Sequence, residues 1–213
     1  MKLFLIDLPA AAFAHTVLSE GGIFLHALMR LITLSGNGGA LFIAIGIALL
    51  IPRRTRGTGA LTLLSLAAGA LLTNVLLKNI IARERPFADP ASPFYAYWRA
   101  AGSLAASGAS FPSGHTTAAA AFAAALFVRC DKKISWTAFA IPLLMGFSRI
   151  YFGVHYASDV LAGFGAGLAA CLAAMPLARA AERIPFFRPL PPHGLPAAAE
   201  PGNAGGRHCR KGG

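Results

Sequence analysis

Ser148-Arg149-Ile150-Tyr151-Phe152-Gly153-Val154-His155-Tyr156-Ala157-Ser158-Asp159 sets a serine, an arginine, a histidine and an aspartate directly before the apolar residues 160–175. Ionisable side chains are costly in a membrane, and where they occur they face an internal cavity or a substrate path. The spacing predicts a helix that begins near Tyr156. One turn then carries the Asp159 carboxylate back to an imidazole nitrogen of His155. That hydrogen bond would fix the tautomer and raise the nucleophilicity of the other ring nitrogen. Taken alone, the stretch also fits a buried His-Asp pair that merely ties down a helix start.

Composition places this stretch in a membrane. The chain has 213 residues, is 56% hydrophobic and only 13% charged, and has a mean hydropathy of +0.60. Residues 39–51, 61–77, 116–128, 134–147 and 160–178 are apolar blocks, extendable through neighbouring small or polar residues to the length a bilayer crossing needs. The expected fold class is all-α, a polytopic transmembrane helical bundle of five to six spans. The net charge of +11 raises a nucleic-acid reading. Its distribution argues against that. Pro52-Arg53-Arg54-Thr55-Arg56, Arg129-Cys130-Asp131-Lys132-Lys133 and the tail after Arg179 each follow an alternate block, the positive-inside pattern of cytoplasmic segments. The connections at 78–115 and 148–159 then lie together at the outer face. Cys130, Cys171 and Cys209 show neither a disulfide framework nor metal-ligand spacing.

Three segments are expected. Residues 1–35 are apolar but interrupted by Asp7, Pro9, His15, His26 and Arg30. An interfacial amphipathic helix or a sixth span fits them better than a cleaved signal peptide, whose basic region would consist of Lys2 alone. Ser35-Gly36-Asn37-Gly38-Gly39 is a turn signal. Residues 36–183 form the membrane domain, and 184–213 a basic, Pro/Gly-rich disordered tail. Within the domain, residues 87–111 read as an external loop whose Phe94, Tyr95, Tyr97, Trp98 and Arg99 either sit at headgroup depth or pack within the loop.

Two further polar stretches share the outer face with the first. Lys78-Asn79-Ile80-Ile81-Ala82-Arg83-Glu84-Arg85-Pro86 holds Lys78 and Arg85, and Pro86 turns the chain so that Arg85 can point back over the bundle. Arg83 and Glu84 read as a local ion pair or solvated charges. Phe111-Pro112-Ser113-Gly114-His115 leads into a helix with Ser113 near its cap, an arrangement able to aim backbone N–H groups at an anion. Lysine with two arginines, Arg85 and Arg149, can hold an anion with three exposed oxygens. Two histidines allow one to attack and the other to protonate a leaving oxygen. The sequence has no acidic cluster to hold a metal, so no metal and no cofactor are expected.

Lys78, six residues, Arg85-Pro86; Pro112-Ser113-Gly114-His115; and Ser148-Arg149, five residues, His155, three residues, Asp159 together resemble the three-part signature of the type 2 phosphatidate phosphatase family, which shares its site with vanadium haloperoxidases. The resemblance covers about residues 36–175 and implies a helical bundle, usually six-spanning in membrane members. It implies His155 as the nucleophile forming a phosphohistidine, with Asp159 orienting it and His115 as general acid. Lys78, Arg85, Arg149, the Ser113 hydroxyl and the Gly114 N–H would hold the phosphoryl oxygens. Ser148, also in the pattern, reads as a helix-end hydrogen bond.

The expected function is a metal-independent hydrolase of lipid phosphates, monoester or diphosphate. The resemblance to short bacterial members of that family favours undecaprenyl diphosphate, with phosphatidate, phosphatidylglycerophosphate and lipid A phosphates behind it. The expected setting is a bacterial inner membrane, with the site at the periplasmic face and the C-terminal tail in the cytoplasm. Expected partners are the lipid substrate and the bilayer, with no nucleic acid and no obligate protein. The alternatives are a lipid phosphotransferase and a non-enzymatic anionic-lipid binding or transport protein. A soluble haloperoxidase is excluded by the hydrophobicity.

Overall fold

Apolar blocks separated by Gly, Pro and charge fold as separate helices. A computed structural model describes residues 5–187, and all regular elements among them are helical. The tail expected to be disordered lies, from residue 188 onward, outside the described residues.

The N-terminal region is two helices, α1 (Asp7–Glu20) and α2 (Gly22–Ser35), broken at Gly21-Gly22. The turn expected at residues 35–39 forms as a short helical turn, Asn37–Gly39, in which Gly38 and Gly39 take φ of 59° and 70°. That left-handed backbone suits glycine. α3 (Ala40–Leu50) follows. Next, α4 (Arg56–Ala70), a π-helical stretch (Leu71–Leu77) and α5 (Lys78–Ile81) make one continuous helix that ends where Ala82 turns left-handed. The expected external loop contains a helix of its own, α6 (Pro93–Ala100), with Pro93 in its first turn and the Ser92 hydroxyl accepting from the Phe94 N–H. α7 (Gly114–Arg129), the single turn α8 (Lys132–Ser135), α9 (Ala140–Tyr151) and α10 (Ala157–Ala181) complete the chain.

α7 is the buried centre, packed by α4, α9 and α10. Ala119, Ala120, Ala121, Ala123 and Ala125 are wholly enclosed. Where lipid surrounds the helices, association comes from close packing, which small residues permit. α10 shows how tight this is. A Cβ at Gly163 would come within 2.6 Å of the Ser113 carbonyl, and one at Gly167 within 2.6 Å of Ala120 Cβ. These two glycines, one turn apart, let α10 lie directly on α7, so the polar residues opening both helices become neighbours. A hydrogen bond from the Ser113 N–H to the Asp159 carbonyl, 3.0 Å, joins the two helix starts.

Large apolar side chains cover the outside, among them Leu71, Val75, Leu143, Leu161 and Leu172, each about half exposed or more. Apolar surface of that extent marks a face that water does not cover. The helices Arg56–Ile81 and Ala157–Ala181 are long and apolar enough to cross a membrane, and Gly22–Ser35 with Asn37–Leu50, bent by 51°, makes a third candidate if counted as one span. The loop aromatics divide. Phe94 is buried edge-on against Tyr156, and Trp98 stacks on Phe87 while its indole N–H donates to the Leu104 carbonyl. Trp98 and Phe87 thus pack within the loop, and Phe94 packs against the start of α10.

Candidate active site

Lys78, Arg85, Gly114, His115, Arg149 and His155, drawn from three distant stretches, line one cavity of about 650 Å³. Each arrives by a local cause. The π-helical stretch widens the helix one turn before Lys78, a distortion that recurs at functional sites. It leaves Asn74 and Lys78 on the cavity wall, with the Lys78 ammonium 4.0 Å from where a Gly114 Cβ would stand. Gly114 is the first residue of α7, so the positive end of that helix dipole faces the cavity.

The arginines differ in how they are held. Arg85 donates to the carbonyls of Ser107 (2.7 Å), Val154 (2.9 Å) and Gly108 (3.0 Å). Three of its five N–H groups are thereby fixed and two remain for an acceptor in the cavity. Arg149 donates from Nη1 to Thr33 Oγ1 at 2.6 Å, while its Nε is buried with no hydrogen-bond partner. A buried donor left unpaired costs about 1–3 kcal/mol. An anion in the cavity would satisfy it.

His155 lies in the turn between α9 and α10. Its Nδ1 is 3.5 Å from Asp159 Oδ2 and 3.4 Å from Ser110 Oγ, which directs Nε2 toward the cavity. Asp159 sits at the third position of α10, where its Oδ2 also accepts from the Tyr156 N–H (3.0 Å) and from the Ser110 hydroxyl (2.5 Å). Burial pushes the His155 pKa down to about 4. The positive charges of Arg149 and Arg85 act the same way, while Asp159 pulls in the other direction. At neutral pH the imidazole is uncharged and its Nε2 lone pair is available. His115 Nε2 lies 3.0 Å from Asn37 Oδ1. A carboxamide oxygen only accepts, so this nitrogen carries a proton.

Two expected residues stand back from the cavity. Ser113 is fully buried at the start of α7. Its hydroxyl accepts from Thr116 Oγ1 at 3.0 Å and caps no backbone N–H. Asp159 reaches the cavity only through His155. Ser148 donates to the Met145 carbonyl, a hydrogen bond within its own helix. Arg83 corrects the sequence reading. It is not solvated beside Glu84 but buried, bridging Asp7 at 2.9 Å and Asp159 at 2.7 Å. Sequence reasoning also passed over Asp7, Thr33, Asn37 and Ser110. For Asp7 a signal existed, since a carboxylate inside an apolar segment is the same anomaly that singled out residues 148–159.

Residues 58–183 match the PAP2 superfamily. The chain is 32% identical over 194 residues to phosphatidylglycerophosphatase B of Bacillus subtilis, covering 79% of this chain and 89% of that protein. It is 52% identical over 56 residues to the undecaprenyl-diphosphatase BcrC of the same organism, a segment covering 26% of this chain and 28% of that one. The crystal structure of Aquifex aeolicus LpxE superposes with a TM-score of 0.64 at 23% identity, over 81% of this chain and 96% of that one. The chain belongs to the PAP2 superfamily, and these relatives include phosphatases of membrane lipid phosphates.

Proposed function

We propose that the protein hydrolyses a lipid phosphate through a covalent phosphohistidine. The observation that carries this reading is the meeting of two histidines and three cations at one cavity, with Nδ1 of His155 turned to Asp159 and Nε2 left to the cavity. Lys78, Arg85, Arg149 and the Gly114 N–H hold the phosphoryl oxygens. Phosphoryl transfer depends mainly on such positioning and charge stabilisation. His155 Nε2 forms a bond to phosphorus as the P–O bond to the lipid breaks, and His115, protonated when the negatively charged substrate fills the cavity, gives that added proton to the departing oxygen. Water then attacks the phosphohistidine with His115 taking its proton, and inorganic phosphate leaves. Ser113, set back from the cavity, supports the α7 start through its N–H bond to the Asp159 carbonyl rather than holding a phosphoryl oxygen. The cation-lined site suits a metal-independent route.

The membrane arrangement is part of the same proposal. The chain crosses the bilayer five or six times, with residues 1–35 anchoring it and 36–183 forming the catalytic domain. The site faces the periplasm of a bacterial inner membrane and the tail lies in the cytoplasm, in keeping with the basic segments at 52–56 and 129–133.

Undecaprenyl diphosphate is the favoured substrate, supported by the 52% identical segment shared with an undecaprenyl-diphosphatase. Phosphatidylglycerophosphate is the second reading, favoured by the much longer alignment with its phosphatase. Purified protein assayed for inorganic phosphate against both lipids, phosphatidate and a lipid A phosphate separates these readings. It also separates hydrolysis from transfer of the phosphoryl group to another lipid, which would consume substrate without releasing phosphate. Binding without turnover of any of them would overturn the enzymatic reading.

A further inference from the structure

The charges behind Asp159 are not used by the chemistry above. Asp159 spends Oδ2 on His155, Ser110 and the Tyr156 N–H, and its Oδ1 receives Arg83 Nη1 at 2.7 Å. Arg83 then continues away from the site. Its Nη1 also reaches Ser158 Oγ (2.7 Å), its Nη2 reaches Asp7 Oδ2 (2.9 Å), and its guanidinium lies 3.9 Å over the Tyr156 ring. Asp7 in turn accepts from the Ser158 N–H at 2.9 Å and the Ser158 hydroxyl at 3.0 Å. Asp7 and Asp159 are wholly buried and Arg83 is 8% exposed.

Resting on the reading of His155 as nucleophile, we propose that Asp7 and Arg83 are positioning residues for its attack. The first helix thereby supplies part of the catalytic apparatus, although it lies outside the segment, 58–183, that matches the family. The physical reason is charge balance in a low-dielectric setting. Arg83 alone against Asp159 would draw the carboxylate's charge away from His155. Asp7 on the far side of the guanidinium offsets that pull, so Asp159 is held in place by Arg83 yet keeps its charge for the imidazole. Buried polar networks of this kind fix one geometry when every member is satisfied. Removing one member leaves an uncompensated buried charge.

The other groups facing His155 stay constant in the test. They are Arg149 from α9, Arg85 and Ser110 from the loops, His115 from α7 and Lys78 from α5. Asp7→Asn, Arg83→Gln and the double variant are purified as full-length protein and assayed for phosphate release across pH, with detergent melts as folding controls. Each single variant should lose on the order of tenfold in kcat with KM nearly unchanged, as expected for a coupled residue that does not touch substrate. The acid limb of kcat/KM should move up in Arg83→Gln, where negative charge is left near His155. It should move down in Asp7→Asn, where positive charge is left. The double variant, neutral at both positions, should bring the limb back toward the native one even if Arg83→Gln alone folds poorly.

Limbs that move together, or do not move while activity falls with the folded fraction, would reduce the network to a structural tie and overturn the proposal. His155→Ala is the control on the underlying reading. If it retains phosphate release, that reading has failed; if it is inactive while the limbs stay fixed, only the present inference has.

Discussion

The two ends of the bundle handle charge in opposite ways. α7 begins at Gly114 in the cavity and ends at Arg129, about 24 Å away at 1.5 Å per residue. At the far end Arg129 pairs with Glu182 at 2.6 Å, both side chains 22% exposed. Beside them Arg56 donates to the Leu50 and Phe186 carbonyls and lies over the Phe186 ring. At the near end, Arg83, Arg85, Arg149, His155 and Asp159 are all at least nine-tenths buried. Partly exposed charges act as anchors, each pair contributing little because water screens it. Buried charges are costly unless matched, and one of them, Arg149, carries an unmatched donor. That donor belongs to a cation lining the cavity, where an anionic ligand can meet it.

The sharpest way to break this contrast is His155→Ala. Loss of the attacking atom should lower phosphate release by about a thousandfold or more while the melting curve in detergent stays close to native. A variant with much of its activity intact would remove the near end's claim to catalysis. His115→Ala should cost about a hundredfold or more, as expected of a general acid. Because its task is to protonate the leaving oxygen, the loss should be smallest on an activated aryl phosphate. An equal loss on every leaving group would argue against that role.

Gly163→Ala tests the packing that brings the helix starts together. The added Cβ meets the Ser113 carbonyl, so overpacking of about 1–3 kcal/mol should lower the melting temperature and activity together. A fully active, equally stable variant would show that the close approach is dispensable. The pH dependence comes next. With the His155 pKa depressed to about 4, its neutral form persists well below the ordinary histidine range, and protonation removes the nucleophile only as pH falls through that value. kcat/KM, corrected for ionisation of the substrate, should therefore hold from neutrality to about pH 5 and fall below it. A fall centred near the ordinary histidine value would contradict the burial argument. The smallest effect belongs to the far end. Arg129→Gln should change stability by less than about 1 kcal/mol and leave kcat untouched.

Much of the site was legible because its chemistry is concentrated. Lys78, Arg85, His115, Arg149 and His155 are polar residues in an apolar chain, and the positive-inside pattern assigns them to one face. Residues that act through others were less visible. Arg83 stands two positions from Arg85 beside Glu84, and local reading paired it with its neighbour in sequence. Its partners, Asp7 and Asp159, are each 76 residues away. Ser110 and Asn37 sit in Gly/Ser-rich loops where nothing in composition separates them from ordinary turn residues. The helix inside the external loop was missed for a related reason, since eight residues between turns give too little periodicity to stand out.

Linear order was enough for the helical, membrane-type architecture and for singling out the polar groups that line the cavity, because hydropathy, charge placement and motif spacing are local properties. Which of those groups meet is a matter of three-dimensional packing. The contact of Gly163 and Gly167 with α7, the burial of Arg149 with one donor unpaired, and the docking of Asp7 behind Asp159 depend on close approach between segments far apart in the chain. Pairwise distances of that kind are set by the packing of the whole bundle, and no short window of sequence contains them.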